Sequence, residues 1–473
     1  MDAEQVVDVV VIGGGPAGEN VAERVVRGGL SAAIVEAELL GGECTYWACV
    51  PSKAMLRPVD LVAAARRAPG AAQAVVGQIN VDAVLARRDE ATSSRTDGGQ
   101  VKWLAGLPAT LVRGHGRIVK ARTVEVTANG SRQTLRARHA VVVATGSRAT
   151  VPPIPGLPDA RPWTSRDATS MQAVPARLAV LGGGVVACEM AHVVKGLGAA
   201  QVTMLIRGRG LLERMEHFAG ELVAAGLKAA GVDVRTQTSI SAVSRTGDGP
   251  VALTLSNGKT VEADELLVAA GRTLNTDDIG LDSVGLEPGK PIAVDDSLRV
   301  DGVDGGWLYA VGDATGRNLL THMGKYQGRV CGDVIVARAE GRDDDDPALR
   351  ATSDAVGAPQ VVFTDPEACS VGLTESAARE RGYDVRVVEY DIGSVTGAYL
   401  LAEDYQGRAK AVVDESRRVL LGVTFVGSGV AELLHSATVA VTGEIPLDRL
   451  WHAVPAFPTV SEVWLRLLET YGL

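Results

Sequence analysis

Two cysteines, Cys44 and Cys49, stand with four residues between them in the stretch GGECTYWACVPSK, residues 41–53. A thiol pair at this spacing can open and close as a disulfide, or it can sit inert in a core. In a regular helix the two would be separated by about 7.5 Å of rise alone. That exceeds the roughly 7 Å Cα distance over which cysteines bridge without backbone movement. A bridge therefore needs a distorted first turn, and Gly41 and Gly42 just upstream permit unusual backbone angles. A helix starting here would also favour a thiolate through its dipole. Spacing alone leaves both readings open; the neighbouring sequence must separate them.

That neighbourhood is a nucleotide-binding unit. Asp8–Ile12 is an apolar, strand-like run entering Gly13-Gly14-Gly15-Pro16-Ala17-Gly18, followed by a helical pattern and a second strand ending in Glu36. Gly13 makes the tight turn, Gly15 admits a pyrophosphate to backbone N–H groups, and Gly18 lets helix pack on strand. Glu36, 18 residues past Gly18, can bond a ribose hydroxyl. The cysteines follow at once, so the first dinucleotide and the thiols belong to one site.

A second unit starts beyond the stiff hinge at 151–156. Leu178–Leu181 leads into Gly182-Gly183-Gly184-Val185-Val186-Ala187, and its following strand ends in Arg207, where the first unit has Glu36. Arginine forks onto a 2′-phosphate, whereas an acid suits a 2′-hydroxyl. Arg207 and Arg209 therefore favour NADP(H) over NAD(H), against the alternative that they pair with Glu213 and Glu216. Two dinucleotide units imply two cofactors.

The remaining pattern organises around these units. Val59–Arg88 reads as helical; Val101–Gly116 and Arg122–Arg138 read as strands, and His139–Ser147 as a further buried strand. Trp307–Asp313 is another strand, placing Asp313 where strand meets helix, and the run Asp343–Asp346 reads as a solvated linker. From Gln360 onward the chain is strand-rich without a nucleotide motif, which suggests an α+β assembly domain. The 473 residues and net charge of −10 argue for about three domains and against a nucleic-acid surface. The acidic start and the shortness of the apolar runs predict neither signal peptide nor membrane span, so a cytoplasmic enzyme is expected. Five cysteines are too few for a secreted scaffold, and no second ligand pair accompanies Cys44 and Cys49 to complete a metal site.

The ordered motifs carry a family resemblance. GGGPAG at 13–18, GGECTYWACVPSK at 41–53, ATG at 144–146, GGGVVACE at 182–189, AAGR at 269–272, AVGDATG at 310–316 and VFTDPE at 362–367 run nearly from end to end. The chain resembles the flavoprotein disulfide reductases of the pyridine nucleotide–disulfide oxidoreductase family. The resemblance implies an α/β fold: two Rossmann-like domains, for FAD and NAD(P), plus a C-terminal α+β dimerisation domain. The expected segments are 1–150 and 276–345 for FAD, 151–275 for NAD(P), and 346–473 for dimerisation.

It further implies that FAD lies on Gly13, Gly15, Gly18, Glu36, Gly42, Thr145, Gly146 and Asp313, with His322 adjoining through its backbone. NAD(P)H would use Gly182, Gly184, Arg207, Arg209 and Gly271. Hydride would pass from NAD(P)H to FAD and on to the dithiol. Cys49 would be the charge-transfer thiol and Cys44 the one that meets substrate, with Lys53 and Glu189 paired beside the flavin. The active site would be shared across a homodimer, Glu462 serving it.

Two positions depart from the family. Where members that reduce small disulfides carry an acid/base His-Pro-Thr, this chain reads Phe457-Pro458-Thr459, although Glu462 remains. Phe457 cannot transfer a proton; His452 is the nearest imidazole in sequence. Val185 replaces a tyrosine that gates the nicotinamide pocket. The expected function is thus reduction of a small disulfide-type substrate with an atypical acid/base. The alternatives are reduction of a quinone or other planar acceptor, and a catalytically lapsed binding subunit. No cysteine pair near the C-terminus supports mercuric reduction.

Overall fold

The computed structural model describes residues 4–342 and 345–473. Asp343 and Asp344 of the acidic run, and the first three residues of the acidic start, lie outside the described residues. By contact the chain forms two compact units, each assembled from three separate segments.

The first unit comprises residues 1–50, 89–148 and 272–354. Its parallel core orders Ala109–Arg113, Ala32–Glu36, Glu4–Ile12, Ser131–Val143 and Leu308–Ala310 side by side. These strands read as unbroken Val/Ile/Ala runs because helices cover them, notably Pro16–Arg27 and Thr321–Ala339. Ser131–Val143 does double duty: its first half also pairs antiparallel with Thr123–Ala128, which in turn pairs with His115–Lys120. The two strands expected at Arg122–Arg138 and His139–Ser147 are therefore divided differently, with one 13-residue strand running through the boundary.

One expectation is corrected. Residues from Val101 onward were expected to be strand, yet Gly98–Ala105 is a helix and the strands begin at Ala109. The segment VKWLA offers an apolar run too short to reveal its period, and the helix buries Leu104. Gly114, at φ +142°, then separates Ala109–Arg113 from His115–Lys120.

The second unit comprises residues 51–88, 149–271 and 355–473. Its parallel sheet orders Val232–Arg235, Gln201–Leu205, Arg177–Leu181 and Glu265–Val268, with helices Val185–Gly196 and His217–Ala229. A three-stranded antiparallel sheet spans residues 240–263. The C-terminal part is a five-stranded antiparallel sheet. It orders Gln360–Val362, Glu367–Gly372, Val419–Gly427, Arg408–Asp414 and Val385–Asp391, and helices Leu434–Thr442 and Val463–Tyr471 pack on it. This is the α+β domain expected at the C-terminus.

Candidate active site

Cys44 and Cys49 form a disulfide with a Cα separation of 4.8 Å. The distortion the spacing demands is a broken helix: Gly42–Tyr46 ends at Trp47, and Cys49–Arg66 starts afresh. Gly41 enters the turn at φ +112° and Gly42 at φ +64°; a Cβ on Gly42 would stand 2.7 Å from Gly15 Cα. The cysteine turn is thus pressed on the first glycine loop, and Gly41 N–H donates to Gly14 C=O at 2.8 Å. Cys49 Sγ lies 3.4 Å from Thr321 Oγ1 at the start of helix Thr321–Ala339. The positive end of that helix favours a thiolate there. The other three cysteines, Cys188, Cys331 and Cys369, are buried, and burial pushes their thiols up, away from reactivity. Tyr46 is buried, donates its hydroxyl to Leu40 C=O and meets Trp47 edge-on, so it packs the turn.

The first cradle holds its expected residues together. A Cβ on Gly13 would stand 2.3 Å from Ala144 O, bringing the loop against Ala144-Thr145-Gly146. Glu36 accepts the Gly14 N–H at 2.7 Å, which braces the loop. Arg272 donates to Ser147 Oγ at 2.6 Å, and Ser147 in turn donates to Asp313. Burial holds the Asp313 carboxyl above its ordinary range. His322 is exposed, one residue beyond Thr321. The Thr145 hydroxyl is buried without a hydrogen-bond partner. A glycine-lined loop, a braced acid and an orphaned buried hydroxyl fit a flavin dinucleotide.

The second unit carries the other expected groups. A Cβ on Gly182 would stand 2.3 Å from Ala269 O, whereas around Gly184 the space is open, as a pyrophosphate requires. Gly271 accepts the Thr150 N–H at 3.0 Å through its carbonyl. Arg207 and Arg209 are exposed. Glu213 accepts the main-chain N–H of Arg209 and Glu216 accepts from Lys410; among the described residues neither acid forms an ion pair with Arg207 or Arg209. Lys53 Nζ donates to Glu189 Oε2 at 2.7 Å, and the other carboxylate oxygen accepts the Phe363 N–H at 3.1 Å. Lys53 also lies over the Phe363 ring, 4.8 Å from its centroid. Glu462 is buried: one oxygen accepts from Arg466, and the other has no hydrogen-bond partner among the described residues. Phe457 is 72% exposed and His452 is exposed.

Sequence reasoning missed Thr321, Ser147 and Arg272. Their contacts join positions 125 to 272 residues apart, with no local pattern to announce them. Among the described residues no cluster of three or more His, Cys, Asp or Glu could hold a metal, and no helix is long and apolar enough to cross a membrane.

Two Rossmann-like sheets, a redox cysteine turn on the first glycine loop and a C-terminal α+β domain define a pyridine-nucleotide-linked flavoprotein. The pyridine nucleotide-disulphide oxidoreductase profile matches residues 7–341, and the dimerisation domain of that family matches residues 358–467. The chain belongs to this family of FAD- and NAD(P)H-dependent disulfide oxidoreductases. It is 30% identical to a dihydrolipoyl dehydrogenase of Chlamydia trachomatis over 97% of this chain and 95% of that one. It is 33% identical to a mercuric reductase of Shigella flexneri, over 96% of this chain and 78% of that one. The crystal structure of LpdA from Mycobacterium tuberculosis superposes with a TM-score of 0.84 at 25% identity, covering 99% of this chain and 100% of that one.

Proposed function

We propose that this protein is a cytoplasmic, homodimeric oxidoreductase that draws electrons from NADPH in preference to NADH and reduces a small disulfide-type substrate through Cys44 and Cys49. The observation that carries the reading is the Cys44–Cys49 bridge seated on the Gly15 loop. When bound, FAD supplies the two-electron relay between nicotinamide and sulfur. Gly13, Gly15, Gly18, Glu36, Gly42, Thr145, Gly146 and Asp313 would hold it, with His322 adjoining. Segments 1–150 and 276–345 form its domain, 151–275 the NAD(P) domain and 346–473 the dimer domain.

The reduced cysteine pair then works by exchange. The Cys44 thiolate attacks one substrate sulfur; a mixed disulfide forms, and the departing thiolate takes a proton. Cys49 next attacks the Cys44 sulfur, releasing the second thiol and restoring the bridge. Lys53, held by Glu189, supplies a fixed cation. The dimer reading is supported by the matched dimerisation domain and by exposed apolar side chains on it, among them Tyr399, Leu400 and Val454.

A planar acceptor such as a quinone is the second reading. Its support is the exposed apolar tail, Val454 at 85% and Phe457 at 72%, where an imidazole would otherwise stand. Steady-state turnover with NADH and NADPH against lipoamide, a glutathione-type disulfide and a benzoquinone separates the two. Reduction of a disulfide with NADPH supports the first reading; turnover with the quinone alone sinks it.

A further inference from the structure

Helix Cys49–Arg66 has a proline in its interior, Pro58. Proline has no N–H to give the Ala54 carbonyl and its ring crowds that oxygen, so the helix is weakened between Lys53 and Asp60. Those two residues are about two turns apart and share one helix face. Each meets helix Val185–Gly196: Lys53 on Glu189 at 2.7 Å, and Asp60 Oδ1 on His192 Nε2 at 3.0 Å. Glu189 and His192, three apart, are neighbours on their own helix. The helices close at Gly196, where a Cβ would stand 2.3 Å from Val59 Cγ1.

His192 is 5% exposed and sits in the second polar rung. Among the described residues His192 is the only ion-pair partner of Asp60. The carboxyl of Glu367 lies near enough to Asp60 to be raised by it, after burial, so a second acid crowds the rung. Asp60 is half-buried at the edge of the rung, and its carboxylate gives the buried His192 ring nitrogen its hydrogen-bond partner.

We infer that Asp60 and His192 are positioning residues: their pair ties the helix beyond Pro58 to Val185–Gly196 and thereby keeps Lys53 on Glu189. The inference rests on the role proposed for Lys53 beside the flavin. Asp60 and His192 touch no reacting atom; they act through Lys53.

The test labels lysine amines of the FAD-loaded protein with a slow acylating reagent and reads them by peptide mass spectrometry, exposed Lys259 serving as internal standard. His192→Leu should raise Lys53 labelling about tenfold, the equivalent of one lost charged hydrogen bond. Asp60→Asn should raise it in the same direction. His192→Gln, which keeps an N–H donor, should stay within about twofold of wild type. The long-wavelength thiolate–flavin absorbance of the reduced enzyme should fall in His192→Leu, and adding that change to Lys53→Met should cause no further fall. Wild-type labelling in both His192→Leu and Asp60→Asn overturns the tether while leaving Lys53's role intact. Wild-type absorbance in Lys53→Met overturns that role, and the tether with it.

Discussion

Glu462 and Arg466 form an ion pair one helical turn apart that uses only one oxygen of the buried carboxylate; the other faces no donor. On the resemblance to the family an imidazole is expected at Phe457, and on that reading the chain lacks a proton donor while keeping Glu462. Phe457→His should raise disulfide turnover by up to about 10²-fold, the lower end of what a positioned acid/base contributes. It should also add an ionisation near pH ~6.5 to the rate profile. An unchanged rate in a folded variant would show that proton transfer is handled elsewhere.

Among the described residues Arg207 and Arg209 form no ion pair with Glu213, one oxygen of which accepts main-chain N–H groups. A charge-assisted contact to a 2′-phosphate contributes ~1.5–3 kcal/mol, or about 10–10²-fold in selectivity. Arg207→Glu should reverse the ratio of kcat/KM for NADPH over NADH by that order. An unaltered ratio would discard the phosphate fork.

Thr145 gives effects of opposite sign. Its hydroxyl is buried and unsatisfied, a state that costs roughly 1–3 kcal/mol. Thr145→Val should leave the FAD-free protein as stable or more stable by thermal melting. The same change should weaken FAD affinity about five- to tenfold, as loss of one hydrogen bond would. Equal affinity would mean that the hydroxyl does not face the cofactor.

Glu19, one residue beyond Gly18, has one buried oxygen without a partner, and burial holds its carboxyl at about 7, against an ordinary 4.5. Lys325 pulls it down, whereas Glu36 and Glu23 push it up. The folded state therefore binds the extra proton, and stability falls as pH rises from about 4.5 to about 7. Glu19→Gln should match wild type near pH 5 and exceed it above pH 8, by on the order of 1–2 kcal/mol. A pH-independent difference in melting temperature would contradict this.

Much of the fold was legible because glycine loops and buried parallel strands leave strong local marks. Gly13 and Gly182 approach the Ala144 and Ala269 carbonyls closely, and only glycine allows it. The segment from Val101 misled because five residues are too few to tell a helical period from an alternating one. At the site, the Cys44–Cys49 pair was legible from its neighbouring motifs and the family resemblance, because its spacing alone left an inert core pair equally open. Thr321, Ser147, Arg272 and the Asp60–His192 pair were not, since tertiary packing alone brings them together. Whether Arg207 pairs with Glu213 is set by tertiary placement of both side chains, which sequence leaves open.

The central claim is that electrons leave through Cys44. Turnover of Cys44→Ser with NADPH, against a small disulfide and against a benzoquinone, tests it most directly. Disulfide reduction should be lost by orders of magnitude, because the attacking sulfur is gone, while the protein keeps its FAD. Undiminished disulfide reduction in that variant would contradict it.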